Sequence, residues 1–419
     1  MPRVLILYHY YFPDDVVSSV QFTDLAEGLA HSTGSTGLST GPAGRSGQAS
    51  PHWNVEVWSS NRNCHHPEIQ YPTVKEISNG VVIQRVWRPA FRQHSFLGRI
   101  LNSIWMQKLW WWRLFFTPSC QPDIIVLGTD PLFSVVLAPF LRWIRPKAKI
   151  AHWCFDLYPE AAVADGVVGE KNFLVRALQW FLKPAYGACD LVADLGSCMA
   201  ERLKAYPIKK EITLTPWALE EPAKSLAFNK VERKKLFGKA SLGLLYSGSF
   251  GRAHDYQLTL ELARRLRGKA ALTYSARGSR LDELKKAITS EDANIHFAEF
   301  VPPEKLEARL SAPDVHVVSL RPEWTGTVVP SKFFGALAAG RPVLFEGSLD
   351  CSLAQWIRKY KVGWVLTSST LDRVTKDLTA FSKNSEIKTK MFKHCHQIYQ
   401  THFSRKTNIE RWNKELAEL

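Results

Sequence analysis

Leu242-Gly-Leu-Leu-Tyr-Ser-Gly-Ser-Phe-Gly-Arg-Ala-His-Asp-Tyr-Gln-Leu-Thr-Leu-Glu-Leu-Ala-Arg-Arg-Leu266 contains a strand, a turn and a helix in direct succession. Its first five residues form the short continuous apolar run that a strand covered on both faces requires. Gly248 and Gly251 then interrupt the run, and a backbone without Cβ atoms can approach a ligand closely. Asp255 predicts a cap for a helix over 256–266, whose leucines recur at helical spacing and whose amino end favours an anion. Arg252 adds a planar donor fork that suits phosphate oxygens. Taken alone, the same residues also fit an ordinary glycine-containing turn with a solvated arginine.

The alternation of apolar run and helical stretch spreads in both directions. Downstream, runs stand at 271–274, 295–297, 315–318, 342–345 and 362–366. Upstream, they stand at 4–8, 55–59, 81–86, 123–127, 149–153, 191–195 and 212–215. Each series reads as a parallel sheet with helices on both faces, so the fold class is α/β. A chain of 419 residues has room for two such Rossmann-like domains, which we place at 1–222 and 223–402. The Gly/Ser/Thr-rich segment at 32–51 cannot bury enough apolar surface to order itself and is predicted to be a flexible surface loop.

With 45% hydrophobic and 22% charged residues the composition is that of a globular protein. The formal charge of +15 favours a polyanionic partner: nucleic acid, an anionic lipid surface or a phosphate-bearing ligand. No zinc-finger, RNP or Lys/Arg-run pattern accompanies it, so nucleic acid is not expected. Seven scattered cysteines without a C-x-x-C pair argue against a disulfide framework and for a reducing cytoplasm. Cys64-His65-His66 and His394-Cys395-His396 read as surface or helix positions, because adjacent residues rarely converge on one ion. The apolar run at 4–8 is too short for a signal peptide and reads as a buried first strand.

Two further places in the chain can carry chemistry. Pro322-Glu-Trp-Thr-Gly-Thr-Val-Val-Pro-Ser-Lys332 leads into a helix that Gly340 stops, so Ser331 and Lys332 lie beside a positive helix end. Two helix starts, each with a cation, can flank one diphosphate. In the first domain the run at 149–153 ends near Asp156 and Glu160. A carboxylate there can orient or deprotonate an acceptor hydroxyl, or Asp156 can simply cap the next helix.

The segment at 91–116 mixes Arg92, Arg99, Lys108 and Arg113 with Trp105, Trp110, Trp111, Trp112 and many aliphatic residues. Its cations interrupt any span of about 20 apolar residues, so it does not read as a transmembrane helix. An interfacial helix on anionic lipid and a core helix lining the acceptor cleft both remain open.

On Leu245-Tyr-Ser-Gly-Ser-Phe-Gly-Arg-Ala-His-Asp255, Val328-Val-Pro-Ser-Lys-Phe-Phe-Gly-Ala-Leu-Ala-Ala-Gly-Arg-Pro-Val343, Phe155-Asp-Leu-Tyr-Pro-Glu160 and Leu214-Thr-Pro-Trp-Ala218, the chain resembles the group 1, or family four, glycosyltransferases of the exopolysaccharide and colanic-acid type. The resemblance implies the GT-B fold, two Rossmann-like domains facing each other across a cleft, with the last helix, 403–419, returning to the first domain. It also implies a retaining, metal-independent hexosyl transfer from a nucleotide-sugar, which is a substrate, so that no cofactor is expected. Arg252 and Lys332 would bind the diphosphate and stabilise its leaving charge, with Asp156 as the third catalytic residue.

Donor binding would further involve Gly248, Ser249, Gly251, Arg277, Phe300, Val301, Glu323, Gly326, Thr327 and Ser331. Acceptor binding would fall to Tyr11, Ser18, Ser19, Asp156 and Glu160. The acceptor implied is a lipid-linked or growing saccharide of surface polysaccharide synthesis, and the location is the cytoplasm or the inner face of its membrane. The chain departs from many such proteins in having Thr327 and Gly335 where they carry two glutamates, and Asp14 to Ser19 where they carry a glycine pair. A nucleotide-sugar epimerase of the same layout, or a non-catalytic sugar-binding relative, are the competing readings.

Overall fold

The computed structural model describes residues 1–14, 16–31, 53–93 and 95–419. The loop predicted at 32–51 lies outside the described residues. Eight strands form the first sheet: β1 (Arg3–Leu7), β2 (Asn54–Ser60), β3 (Glu76–Ser78), β4 (Val81–Val86), β5 (Ile124–Gly128), β6 (Lys149–Trp153), β7 (Leu191–Asp194) and β8 (Glu211–Thr213). Six form the second: β9 (Leu242–Ser249), β10 (Ala270–Arg277), β11 (Ile295–Phe297), β12 (Val315–Ser319), β13 (Val343–Glu346) and β14 (Gly363–Leu366). Every pairing is parallel except β3 with β4.

β3 is absent from the strand reading of the sequence. It has three residues, Ile77 on it is exposed, and it has no apolar face to announce it. Its turn does carry a signal: Asn79 and Gly80 both have positive φ, the two-residue hairpin geometry that Asn-Gly prefers.

Strand order decides where ligands can bind. The first sheet runs β3-β4-β2-β1-β5-β6-β7-β8 and the second β11-β10-β9-β12-β13-β14. In each, the chain fills one side of a central strand and then crosses to the other, so that the crevice lies between β1 and β5 and between β9 and β12. Both crevices open at the carboxyl ends of the strands.

Helix Arg405–Ala417 at the chain end packs on the first sheet's layer. Trp412 is fully buried, its ring 5.2 Å from that of Trp153, and Asn413 accepts a 2.6 Å hydrogen bond from Trp53. The preceding helix, Ser385–His402, lies against helix Lys332–Ala338, where His396 meets the Ala338 carbonyl at 2.8 Å. The last two helices therefore join the layers around both sheets.

Helix Phe96–Phe116 is two-faced. Asn102, Met106, Trp110 and Leu114, four residues apart, are buried, whereas Leu101, Ile104, Trp105, Trp112, Phe115 and Phe116 are exposed. Both readings of its sequence thus find a face. Among the described residues no helix is long and apolar enough to cross a membrane.

Trp412→Ala should remove the aromatic anchor of the last helix and cost about 3–5 kcal/mol in urea unfolding. A loss under about 1 kcal/mol would mean that the helix is not fixed through that ring.

Candidate functional site

The second domain's half of the site is built on β9. Lys332 opens helix Lys332–Ala338 and folds back over the turn after β9, with Nζ 3.1 Å from His254 Nε2 and 5.2 Å from the centre of the Tyr246 ring. Gly248 makes this possible twice over. Its φ of +122° suits glycine, and a Cβ there would lie 2.9 Å from Lys332 Cε. Burial, with the neighbouring Lys332 charge, holds His254 neutral well below the usual histidine range, so Nε2 can accept from the ammonium. Burial also lowers Lys332 to about 8. The result is an ammonium stripped of much of its water and facing a neutral partner, a cation that an incoming diphosphate would stabilise.

Arg252 leaves the same turn, is 64% exposed, and pairs with Asp165 of the first domain at 2.5 Å. Arg277, at the end of β10, lies over the Phe300 ring at 4.3 Å, next to Val301. Ser249 gives its carbonyl to the Tyr246 hydroxyl at 2.8 Å, Gly251 faces open space, and Ser331 makes no capping bond.

The loop after β12 serves the interface between domains. Leu157 N–H donates to the Thr327 carbonyl at 2.9 Å, and the Thr327 hydroxyl is spent on Trp324 O at 2.8 Å. Gly326 has no room for a side chain, since a Cβ would lie 2.3 Å from Cys198 O. Glu323 is exposed, 3.6 Å from Arg321.

One expectation needs correction. The amino end of helix Gln257–Arg265 does not await an outside anion, because the chain supplies its own carboxylates. Asp255 accepts from Tyr256 N at 2.8 Å, and buried Glu346, from the end of β13, accepts from Leu258 N at 2.9 Å and Thr259 N at 3.2 Å. The groups of this turn left to meet an anion are its side chains and Lys332.

In the first domain Asp156 follows β6, with its backbone N–H and that of Phe155 directed at the Thr129 hydroxyl. Burial raises its carboxyl to about 6, against the lowering effect of nearby Arg99. The capping alternative is not realised, since helix Glu160–Ala164 starts behind Pro159 without a side-chain cap. Glu160 is buried and accepts from Tyr206 at 2.9 Å and Gln179 at 3.0 Å, contacts that tie its helix to the domain interior. Tyr11 is buried as well, Ser19 donates to the Asp14 carbonyl at 3.0 Å, and Ser18 stands against the Tyr8 hydroxyl.

Two residues that the sequence reading passed over stand at the first sheet's crevice. His9 lies two residues past the end of β1, Asp130 two residues past the end of β5, and His9 Nδ1 is 3.0 Å from Asp130 Oδ1. His9 is fully buried, its Nε2 has no partner among the described residues, and burial lowers its pKa despite Asp130. The available signal was position: each lies just past an apolar run. Only the strand order shows that the two runs are neighbours.

The carboxyl ends of the two sheets face each other, as the Arg252–Asp165 and Leu157–Thr327 contacts require. Cys198 Sγ also meets Ser352 Oγ across the boundary at 2.9 Å.

Glu346 generates a pH prediction. Burial raises it to about 7, against an ordinary value near 4.5. A raised folded pKa contributes stability that is complete below the unfolded value and is lost as pH rises through the folded one. Glu346→Gln should therefore flatten the fall in melting temperature between about pH 5 and 8, a difference of up to about 3 kcal/mol. Parallel curves for the two proteins would show that the carboxyl titrates normally.

No family model matches the chain. A probable glycosyltransferase of Pseudomonas aeruginosa, WbjE, is 24% identical over 285 residues, which are 66% of this chain and 70% of that protein. Among solved structures, sucrose-phosphate synthase from Thermosynechococcus elongatus matches with a TM-score of 0.70 at 13% identity, over 100% of this chain and 99% of that one. WaaG, a glycosyltransferase of lipopolysaccharide biosynthesis, matches at 0.60 and 16% identity, over 98% of each chain. Anabaena HepE in complex with UDP-glucose matches at 0.62 and 10% identity, over 100% of each chain. The chain has the GT-B fold, the architecture of the glycosyltransferases that its sequence resembles.

Proposed function

We propose that the chain is a glycosyltransferase that moves a sugar from a nucleotide-sugar, held by the second domain, to a saccharide acceptor held by the first. The observation that carries this reading is the Lys332 ammonium, lying on the Gly248 turn at the β9/β12 crevice. Bond cleavage at the donor leaves the bonding electron pair, and so one further negative charge, on the β-phosphate of the departing nucleoside diphosphate. A cation already in place and poorly hydrated stabilises that charge more than it stabilises the intact donor. Arg252 adds a mobile second cation, which exchanges its Asp165 partner for phosphate oxygens.

The Arg277–Phe300 pair, beside Val301, offers a flat surface for the base. Gly248, Ser249, Gly251 and Ser331 line the path of the diphosphate, while Gly326, Thr327 and Glu323 act through the fit between domains. On the acceptor side, Asp156 and the His9–Asp130 pair orient the attacking hydroxyl. Two protein cations at the diphosphate support metal-independent transfer, and the resemblance supports retention. The solved complex of HepE with UDP-glucose makes a UDP-sugar the first donor to test.

The exposed aromatic face of helix Phe96–Phe116, with Lys108 on it, supports a peripheral position on an anionic inner membrane surface and a lipid-linked acceptor. Surface polysaccharide synthesis is the setting that this chemistry fits.

Lys332→Ala should lower kcat by about 10²- to 10³-fold while leaving the fold intact by circular dichroism. Unchanged transfer would remove Lys332 from the chemistry. With Asp156 at about 6, kcat/KM should fall as pH drops below that value, and Asp156→Asn should lower activity and abolish this limb. An identical acid limb in the variant assigns it to another group.

A further inference from the structure

The exposed apolar face of helix Phe96–Phe116 continues beyond that helix. Phe140 and Trp143 on helix Leu137–Ile144 extend it, as do Trp180 and Phe181 on helix Phe173–Ala188, and Trp143 stacks on Phe115 at 6.0 Å. Between the three helices runs an open groove of about 570 Å³. That size falls within the roughly 300–1,000 Å³ of small-molecule sites. Ile104, Trp111, Val136, Phe140, Leu178 and Phe181 make its walls.

The two neutral polar side chains that line the groove are already committed. Ser103 Oγ accepts from Leu132 N at 3.0 Å, and Gln107 Nε2 donates to Leu132 O at 2.9 Å. Lys108 is the single charged lining residue. Water gains little in such a channel, whereas a hydrocarbon chain buries apolar surface on both sides.

Charge beside the groove favours an anion. The three helices carry no Asp or Glu; Lys108 lines the groove and Arg99 stands at its inner end, whereas Arg142 is paired with Asp190 and Arg113 with Gln84. An amphiphile with an anionic head complements this combination.

The groove also leads to the acceptor side of the cleft. Phe133 lines its inner end and packs edge-on against Tyr158 at 6.1 Å between ring centres. The same two rings line the recess that contains Asp156. Arg99, one turn before Ser103, reaches the Tyr158 hydroxyl at 3.4 Å and lies within the fields of Asp130 and Asp156. Hydrocarbon channel, cation and acceptor carboxylate therefore adjoin one another in that order.

We propose that the groove holds the hydrocarbon chain of a lipid phosphate that carries the acceptor sugar, with Arg99 on its phosphate and its saccharide end at Asp156. This rests on the transferase reading for the identity of the acceptor side. The occupant is a single lipid-phosphate molecule rather than bulk bilayer, because the Phe133 ring lines both the groove and the Asp156 recess, so that a chain lying in the groove ends beside that carboxylate.

Farnesyl diphosphate serves as the probe, with farnesol and inorganic pyrophosphate as its separate halves, and binding is read from tryptophan fluorescence, since Trp111 forms part of the wall. UDP is titrated first and then kept saturating, so that the donor site cannot take the probe. Farnesyl diphosphate should bind at least about tenfold more tightly than either half. Phe140→Asp and Ile104→Asp, on exposed parts of two different walls, should each weaken it about tenfold or more with UDP binding and melting temperature unchanged. Affinity no better than that of pyrophosphate, or insensitive to both substitutions, would overturn the groove as a lipid-phosphate site. So would variants that lose only their binding to phosphatidylglycerol vesicles, which would assign the surface to the bilayer instead. Absence of UDP binding by the unaltered protein counts against the transferase reading itself, whatever the prenyl result.

Discussion

Lys332 lies along the turn after β9, where a Cβ at residue 248 would come within 2.9 Å of its Cε, and it remains a cation there at the cost of losing much of its hydration. His254 offers the ammonium one neutral acceptor, and the Tyr246 ring offers a face. Neither replaces the lost water fully. A charge held in this way is stabilised most by an anion that arrives, and among anions by one whose charge grows during reaction. The geometry of the second crevice follows from that single side chain. The nearby helix has its first amide donors filled by Asp255 and Glu346, which leaves the turn and Lys332 as the proposed place for an anion.

The first domain complements this half. Its crevice lies between β1 and β5 and presents His9, Asp130 and, from the end of β6, Asp156. Arg252–Asp165 and Leu157–Thr327 hold the two crevices opposite one another. The last two helices lie against both layers, with Trp412 in the first domain's core and His396 against the second domain's helix Lys332–Ala338. Movement of one domain on the other must therefore bend the chain near these helices or slide their contacts.

Much of this is written locally in the sequence. Apolar runs of three to six residues alternating with helical stretches disclose the parallel sheets, because a strand buried on both faces needs continuous apolarity. Gly248 and Lys332 are legible for the same reason: glycine after a strand and lysine at a helix start each have a local physical meaning. What is not local stays hidden. His9 and Asp130 are far apart in sequence and meet only through a strand order that no single run encodes. Glu346 caps a helix that precedes it by a whole βαβ unit and more, so the turn at 246–255 looks like an empty anion site until the fold closes. Gly326 reads as a ligand contact, and its close approach to Cys198 is a further constraint, set by the other domain, that no local pattern shows.

The aromatic helix illustrates the same division. Its period places Met106, Trp110 and Leu114 inside, but the exposed remainder acquires meaning only when two distant helices add Phe140 and Phe181 to it. Lys332 is the centre of the proposed chemistry, and the affinity for UDP as a function of pH tests it most directly. If the protonated ammonium holds the diphosphate, calorimetry should give a steady affinity below about pH 8 and a loss approaching tenfold per pH unit above it. An affinity that stays flat from about pH 7 to 10 would contradict the assignment.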